Sequence, residues 1–195
     1  PYMEYLNGSP GDYFFDEPYA YSTGQSINDA DRKYQGMITL RKGLIGSRNV
    51  TALQAFQKVA AKDQSLIENF VHSVGINYGS ALYESASIGG FNGTNPLEMS
   101  AAYAVFGRGG YYIKPYSFTK VIFEDGTTYE NKYTKEKVIS EETSYMITNV
   151  LVDTVRDSWS GSIKISGTEV AGKTGTTNLD TATQKAQNLP ADLIP

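Results

Sequence analysis

Lys173-Thr174-Gly175-Thr176-Thr177 follows the apolar Val170-Ala171-Gly172 and allows two incompatible chemistries. As K-T-G-T it is one wall of a serine acyl-transfer site. Read from Gly167 through Gly172-Lys173-Thr174, it is a literal G-x-x-x-x-G-K-[ST] phosphate loop. The phosphate reading fails on context. Such a loop needs a helix starting near its lysine, whereas Lys173 leads into Thr-Gly-Thr-Thr-Asn, a poor helix start and a fair strand. Residues 179–195 are too few for the rest of a nucleotide domain. The apolar runs ending at Asp125 and Asp153 precede the loop rather than come after it. A second stretch, Ser47-x-Asn49, falls at a break between two helical patterns. Ser26-Ile27-Asn28 repeats S-x-N elsewhere, so the triplet alone is unspecific. Taken singly, Ser47 reads as a helix N-cap, Asn49 as a turn residue and Lys173 as a solvated strand lysine.

The elements that must position these residues emerge from periodicity and caps. Residues 1–37, rich in Tyr, Pro, Gly, Asp and Asn, predict a short first helix and a long loop with one short strand. Thr39 caps a short helix through Ile45 that Gly46 ends. A helix over about 50–61 comes after the Ser47-Arg48-Asn49 break. Another spans about 64–74, with Asp63 as N-cap, Gly75 as stop and a core stripe of Ile67, Phe70, Val71 and Val74. Residues 79–95 read as loop. Asn95-Pro96 opens a helix whose Ala101, Ala102 and Ala104 suit close packing, ended by Gly107 through Gly110. A hairpin with strands near 116–123 and 127–133 turns at Asp125-Gly126. Ser140 caps a helix of about 141–156, with Ile147, Val150, Leu151 and Val155 on one side. The strand carrying Lys173 is placed at about 168–177, and 178–195 reads as exposed loop.

Composition narrows the classes. The 195 residues carry 40% hydrophobic and 19% charged residues, as a globular domain does, and a net charge of −4 leaves no basic footprint for nucleic acid. No run approaches a membrane helix, and the start has no signal-peptide pattern. Absence of cysteine excludes disulfides, thiolate metal sites and a cysteine nucleophile. With 15 tyrosines, this fits a bacterial protein working outside the cytoplasm. His72, the single histidine, falls within a helical pattern and reads as a helix-surface group. No metal or cofactor is expected.

Around Ser47, the text Thr39-Leu40-Arg41-Lys42-Gly43-Leu44-Ile45-Gly46-Ser47-Arg48-Asn49-Val50 closely resembles the S-x-N segment of class A penicillin-binding proteins. So do Asp31-Arg32-Lys33-Tyr34-x-Gly36, Met99 through Gly110, and Gly172 through Asn178. The resemblance covers nearly the whole chain and is to the transpeptidase domain in its Gram-positive form. It implies the serine β-lactamase/DD-transpeptidase-like fold, an α/β arrangement with an antiparallel sheet flanked by helices. It also implies a peptidoglycan DD-transpeptidase, which takes a D-Ala-D-Ala stem peptide onto a serine and passes the acyl group to a neighbouring amine. In such a site Ser47 would shuttle a proton, and Asn49 would hold the nucleophile's lysine and the substrate amide. Lys173 would place a cation beside the substrate carboxylate and orient Ser47. Thr174 and Thr176 would bind that carboxylate, Gly175 would let the acyl chain lie flat, and the Thr176 N–H would be an oxyanion donor. Thr177 belongs to the same wall. β-Lactams and the remaining segments of the domain are the other partners implied. The location implied is the extracytoplasmic face of the bacterial membrane, anchored by a segment outside this chain.

The family's S-x-x-K, with the nucleophile, has no match before Ser47. Ser117-Phe118-Thr119-Lys120 is the one S-x-x-K present. On a predicted strand its first and last side chains point to opposite faces, so it is a decoy. Pro1-Tyr2-Met3-Glu4-Tyr5 resembles text directly after the nucleophile's lysine, and Leu189 through Pro195 the loop before the next sheet strand. Residues 1–195 are therefore expected to be one partial transpeptidase domain, truncated at both ends. Alone it is expected to be inactive toward penicillin and stable only beside the rest of its domain. The rivals are a DD-carboxypeptidase, a serine β-lactamase, or a non-catalytic peptidoglycan- or β-lactam-sensing module. The class A-like text around Ser47 speaks against the first two.

Overall fold

Thr39 closes a strand and opens a helix. Its hydroxyl accepts the Lys42 N–H at 3.2 Å, satisfying a donor the first helical turn leaves free. This junction sets the entry to the Ser47 turn. In the computed structural model, residues 1–79, 81–91, 93–158, 163, 165–175 and 185–188 are described.

Helix α1 (Tyr2–Leu6) leads into β1 (Tyr13–Asp16), β2 (Tyr19–Ala20), β3 (Ser26–Ile27) and β4 (Gly36–Thr39). The pairs β1–β4 and β2–β3 are antiparallel, with Phe14 opposite Ile38 and Asp16 opposite Gly36. The predicted long loop thus holds four short strands. Then come α2 (Leu40–Ile45), α3 (Asn49–Lys62) and α4 (Ser65–Ser73), a 3-10 turn at Glu84–Ile88, and α5 (Pro96–Gly107). Asp63 Oδ1 accepts the Ser65 N–H at 2.9 Å, and Gly75, at φ +83°, ends the α4 region. Asn95 caps α5 through the Glu98 N–H at 3.0 Å.

Next are β5 (Tyr111–Tyr112), β6 (Lys120–Ile122), β7 (Thr128–Glu130) and β8 (Glu136–Lys137), with β5 pairing β8 and β6 pairing β7. The β6–β7 hairpin turns at Asp125-Gly126 as predicted, with shorter strands. Helix α6 (Glu141–Ser158) is capped by the Ser140 hydroxyl, which accepts the Thr143 N–H at 3.1 Å. Glu4 of α1 braces the same corner by accepting the Ser140 N–H and O–H.

Among the described residues, the apolar interior forms three clusters. Val74, Ile76, Ala102, Val105 and Ile139 form one; Val59, Ile67 and Leu82 another; Ile27, Val50 and Leu53 the third. The α4 stripe behaves as expected: Ile67 and Val74 are buried, and Phe70 and Val71 pack beside them. On α6, Val150, Leu151 and Val155 are buried. His72 is exposed and stacks on Tyr78 at 4.6 Å between ring centroids.

The strand placed at 168–177 differs. Ile165 and Thr168 form one isolated bridge, and residues 169–175 join no ladder. Strand propensity there meets no neighbouring strand among the described residues. The backbone bond this stretch makes is Gly172 N–H to the Leu151 carbonyl of α6, at 3.2 Å. The remainder of the predicted strand, Thr176 and Thr177, lies outside the described residues, as does the Leu189–Pro195 loop.

Candidate active site

Ser47 sits where α2 turns into α3. The Ser47 N–H bonds to Leu44 O at 3.1 Å and the Arg48 N–H to Gly43 O at 2.8 Å. These two bonds are a Schellman closure, which requires a left-handed residue just after the C-cap, usually glycine. Gly46 is the C-cap at φ −78°, and the left-handed residue is Ser47 at φ +52°. Gly46 ends α2 as expected, while the left-handed position falls one residue later, on Ser47. A Cβ on Gly46 would lie 3.3 Å from both Lys42 O and Arg48 Cδ. A non-glycine residue held left-handed costs roughly 1–2 kcal/mol, and such strain gathers where geometry serves function.

Across from the turn, Lys173 Nζ donates to Ser47 Oγ at 2.7 Å and to the Thr174 carbonyl at 3.2 Å. Because the lysine donates, the serine keeps its own proton for another partner. Lys173 is half-buried, and that desolvation lowers its pKa below 10.5. Thr174 and Gly175 are exposed beside it. Asn49 is half-buried, and its side-chain amide donates to Asn28 O at 2.8 Å.

Helix α6 sets the spacing of the two stretches. Arg41 of α2 pairs with Asp153 and donates to Asn149 Oδ1 at 2.8 Å. Leu151 holds Gly172, one residue before Lys173.

Arg48, the middle residue of Ser47-x-Asn49, points the other way, into the protein. It is 5% exposed, and Asp16 and Asp29 beside it are 0% and 2% exposed. Its Nε donates to Asp16 Oδ2 at 2.9 Å, its NH1 to Asp31 Oδ1 at 2.9 Å, and its NH2 to the Lys33 carbonyl. NH2 also lies 3.0 Å from Asp29 Oδ2. Asp29 Oδ1 accepts the N–H groups of Asn49 and Val50, capping α3 from a distant loop. Two buried carboxyls therefore face one guanidinium. Burial first, then the hydrogen bond with Asp16, pushes the Asp29 carboxyl above its usual range, against the pull of Arg48. Sequence reasoning missed this cluster. Its one signal was Asp31-Arg32-Lys33-Tyr34, which carried a resemblance but no role.

A Lys-Thr-Gly stretch whose lysine donates to the serine of a Ser-x-Asn turn, on this helical scaffold, is the arrangement of the serine β-lactamase and DD-transpeptidase type of protein. The family model "Penicillin binding protein transpeptidase domain" matches residues 6–191. Penicillin-binding protein 1A/1B of Bacillus subtilis is 38% identical over 193 residues, covering 97% of this chain and 21% of that protein. Penicillin-binding protein 1A of Streptococcus pneumoniae is 33% identical over 186 residues, covering 91% and 26%. The crystal structure of penicillin-binding protein 1A from Haemophilus influenzae superposes with a TM-score of 0.73 at 24% identity, over 87% of this chain and 32% of that one. That of PBPA from Mycobacterium tuberculosis gives 0.76 at 15% identity, over 90% and 45%. The chain belongs to the penicillin-binding protein transpeptidase domain family. It spans about a fifth to a quarter of the length of the Bacillus and pneumococcal relatives.

Proposed function

We propose that residues 1–195 form part of one peptidoglycan DD-transpeptidase domain of class A type, and that Ser47-x-Asn49 and Lys173-Thr-Gly are two walls of its site. The observation that carries this is the 2.7 Å bond from Lys173 Nζ to Ser47 Oγ across 126 residues of chain. The nucleophile comes from a Ser-x-x-Lys outside these residues. Its oxygen attacks the penultimate D-Ala carbonyl of a stem peptide, and the terminal D-Ala leaves as the amine once its nitrogen gains a proton. An amine of a neighbouring strand then displaces the serine and completes the cross-link.

Ser47 relays the proton to the leaving nitrogen, because Lys173 occupies its acceptor side and leaves its O–H to hand on. The desolvated ammonium of Lys173 faces the substrate's terminal carboxylate. Thr174 and Thr176 are assigned to supply hydroxyls to that carboxylate, with Thr177 assigned beside them. Gly175 lets the acyl chain lie against the backbone, and the Thr176 N–H is assigned as an oxyanion donor. Asn49, whose amide nitrogen already donates to Asn28 O at 2.8 Å, offers its remaining amide hydrogen and its carbonyl oxygen to the nucleophile's lysine and the substrate peptide. β-Lactams enter as mimics of the D-Ala-D-Ala end, and the domain works on the outer face of the bacterial membrane.

The test is acylation by fluorescent penicillin of the full-length protein containing this chain, with Ser47→Ala and Lys173→Ala as variants. A labelled wild type and variants slowed about 100-fold or more are expected, as for loss of a proton-transfer group. An unlabelled wild type with an intact Ser-x-x-Lys would favour the sensing module. Transfer of the acyl group to water alone would favour the carboxypeptidase.

A further inference from the structure

We infer that Arg48, Asp16 and Asp29 are positioning residues for the reaction, anchoring the buried side of the Ser47-x-Asn49 turn so that its hydroxyl is held facing Lys173. This rests on the proposed transpeptidase site.

Ser47 has no backbone preference for its left-handed conformation, so the conformation must be imposed from both sides. On the near side, the two bonds of the Schellman closure tie the turn to α2. On the far side, everything converges on Asp16, Asp29 and the loop at 31–33. The Arg48 side chain enters that cluster through three nitrogens, and the Asn49 and Val50 N–H groups enter it through Asp29 Oδ1. Asp16 is itself fixed by the Gln35 N–H at 3.0 Å and by its place at the end of β1.

The oxygens left without a hydrogen-bond donor are Asp16 Oδ1 and Asp29 Oδ2. The fork of the guanidinium is essential to this arrangement. An ammonium is a point charge on a flexible stem and cannot meet Asp16, Asp31 and a carbonyl at once. The hydrogen bonds and ion pairs of the cluster reach neither Lys173 nor Thr174. Its influence on chemistry runs through the placement of one hydroxyl.

The experiment compares Arg48→Ala, Arg48→Lys and Asp31→Asn in the full-length protein, using fluorescent penicillin and stopped-flow kinetics. Rates are normalised to folded protein by circular dichroism and calorimetry. A misplaced proton relay slows the acylation step about 10- to 100-fold in Arg48→Ala while the constant for the initial complex stays near wild type. Arg48→Lys recovers part of the loss. Asp31 is half exposed, so Asp31→Asn folds even where Arg48→Ala does not, and it slows acylation about 2- to 5-fold. If folded variants acylate at the wild-type rate, and only the folded fraction falls, the positioning role is wrong and the cluster is purely structural. Wild-type protein that penicillin does not label overturns the transpeptidase reading instead, so the two failures are distinct.

Discussion

Replacing Ser47 separates its chemistry from its conformation. Ser47→Ala and Ser47→Gly both delete the hydroxyl that Lys173 holds, so both lose the same bond. They differ in the backbone. At φ +52° an alanine keeps a strain of roughly 1–2 kcal/mol that a glycine does not feel. Glycine gives back about 0.4–1 kcal/mol because it loosens the unfolded chain. At the midpoints of those ranges the Gly variant should be more stable than the Ala variant by about 0.8 kcal/mol. That corresponds to about 1–4 °C in the domain's unfolding transition. The assay is differential scanning calorimetry of both variants in one buffer, the relevant transition being the one that bound penicillin shifts in wild type. Both variants should acylate equally slowly. A Gly variant no more stable than the Ala variant would refute the claim that Ser47 is held against its own preference.

A Cβ on Gly43 would lie 2.5 Å from Thr51 Oγ1, where α2 crosses α3. Gly43→Ala should cost about 1–3 kcal/mol in urea unfolding. Most of that cost should vanish in the Gly43→Ala/Thr51→Ala double variant, as a cycle of the four proteins will read. For Glu4, burial alone raises the pKa, but hydrogen bonds from Thr143 and Ser140 outweigh it and carry the pKa below 4.5. Its folded value is thus below its unfolded one. The stability it contributes is present above pH 4.5 and lost as pH falls through the folded value. Glu4→Gln should lower stability by about 1 kcal/mol at pH 7, allowing for its partial exposure. Its deficit against wild type should shrink on acidification, measured as Tm from pH 7 to 3.

What was legible in the sequence was local. Thr39, Asn95 and Ser140 cap the helices assigned to them, because a cap is a contact of two or three residues' reach. Asp125-Gly126 turns its hairpin for the same reason. The left-handed residue lies one position beyond the expected glycine, since a glycine beside the turn draws the assignment to itself. A Cβ on Gly46 would be tight, 3.3 Å from Lys42 O and Arg48 Cδ, and Ser47 takes the left-handed conformation. Arg48 is the middle of a recognisable triplet, yet nothing local gives it a role. Its partners are spread from Asp16 to Lys33 in a stretch without periodicity, and aspartates in a Gly-, Asn- and Tyr-rich loop read as solvated. Burial of charge is a tertiary fact that no local pattern carries. Propensity assigns the Lys173 stretch to a strand, yet pairing depends on a neighbour, and its described backbone bond goes to α6.

The separations along the chain have a consequence for how the site assembles. The Asn49–Asp29 contact closes a loop of 20 residues, whereas the Lys173–Ser47 contact closes one of 126. By loop-closure entropy alone, the second contact costs about 1.6 kcal/mol more than the first. The turn that strains Ser47, with α2, α3 and the Arg48 cluster, is thus a short-range unit that can form early in folding. On loop-closure grounds alone, the Lys173 contact is expected to form after that unit. A refolding chain is then expected to bend its serine into place before Lys173 comes near, and Lys173→Ala slowing the formation of the Ser47 turn in pulsed hydrogen exchange would overturn that order.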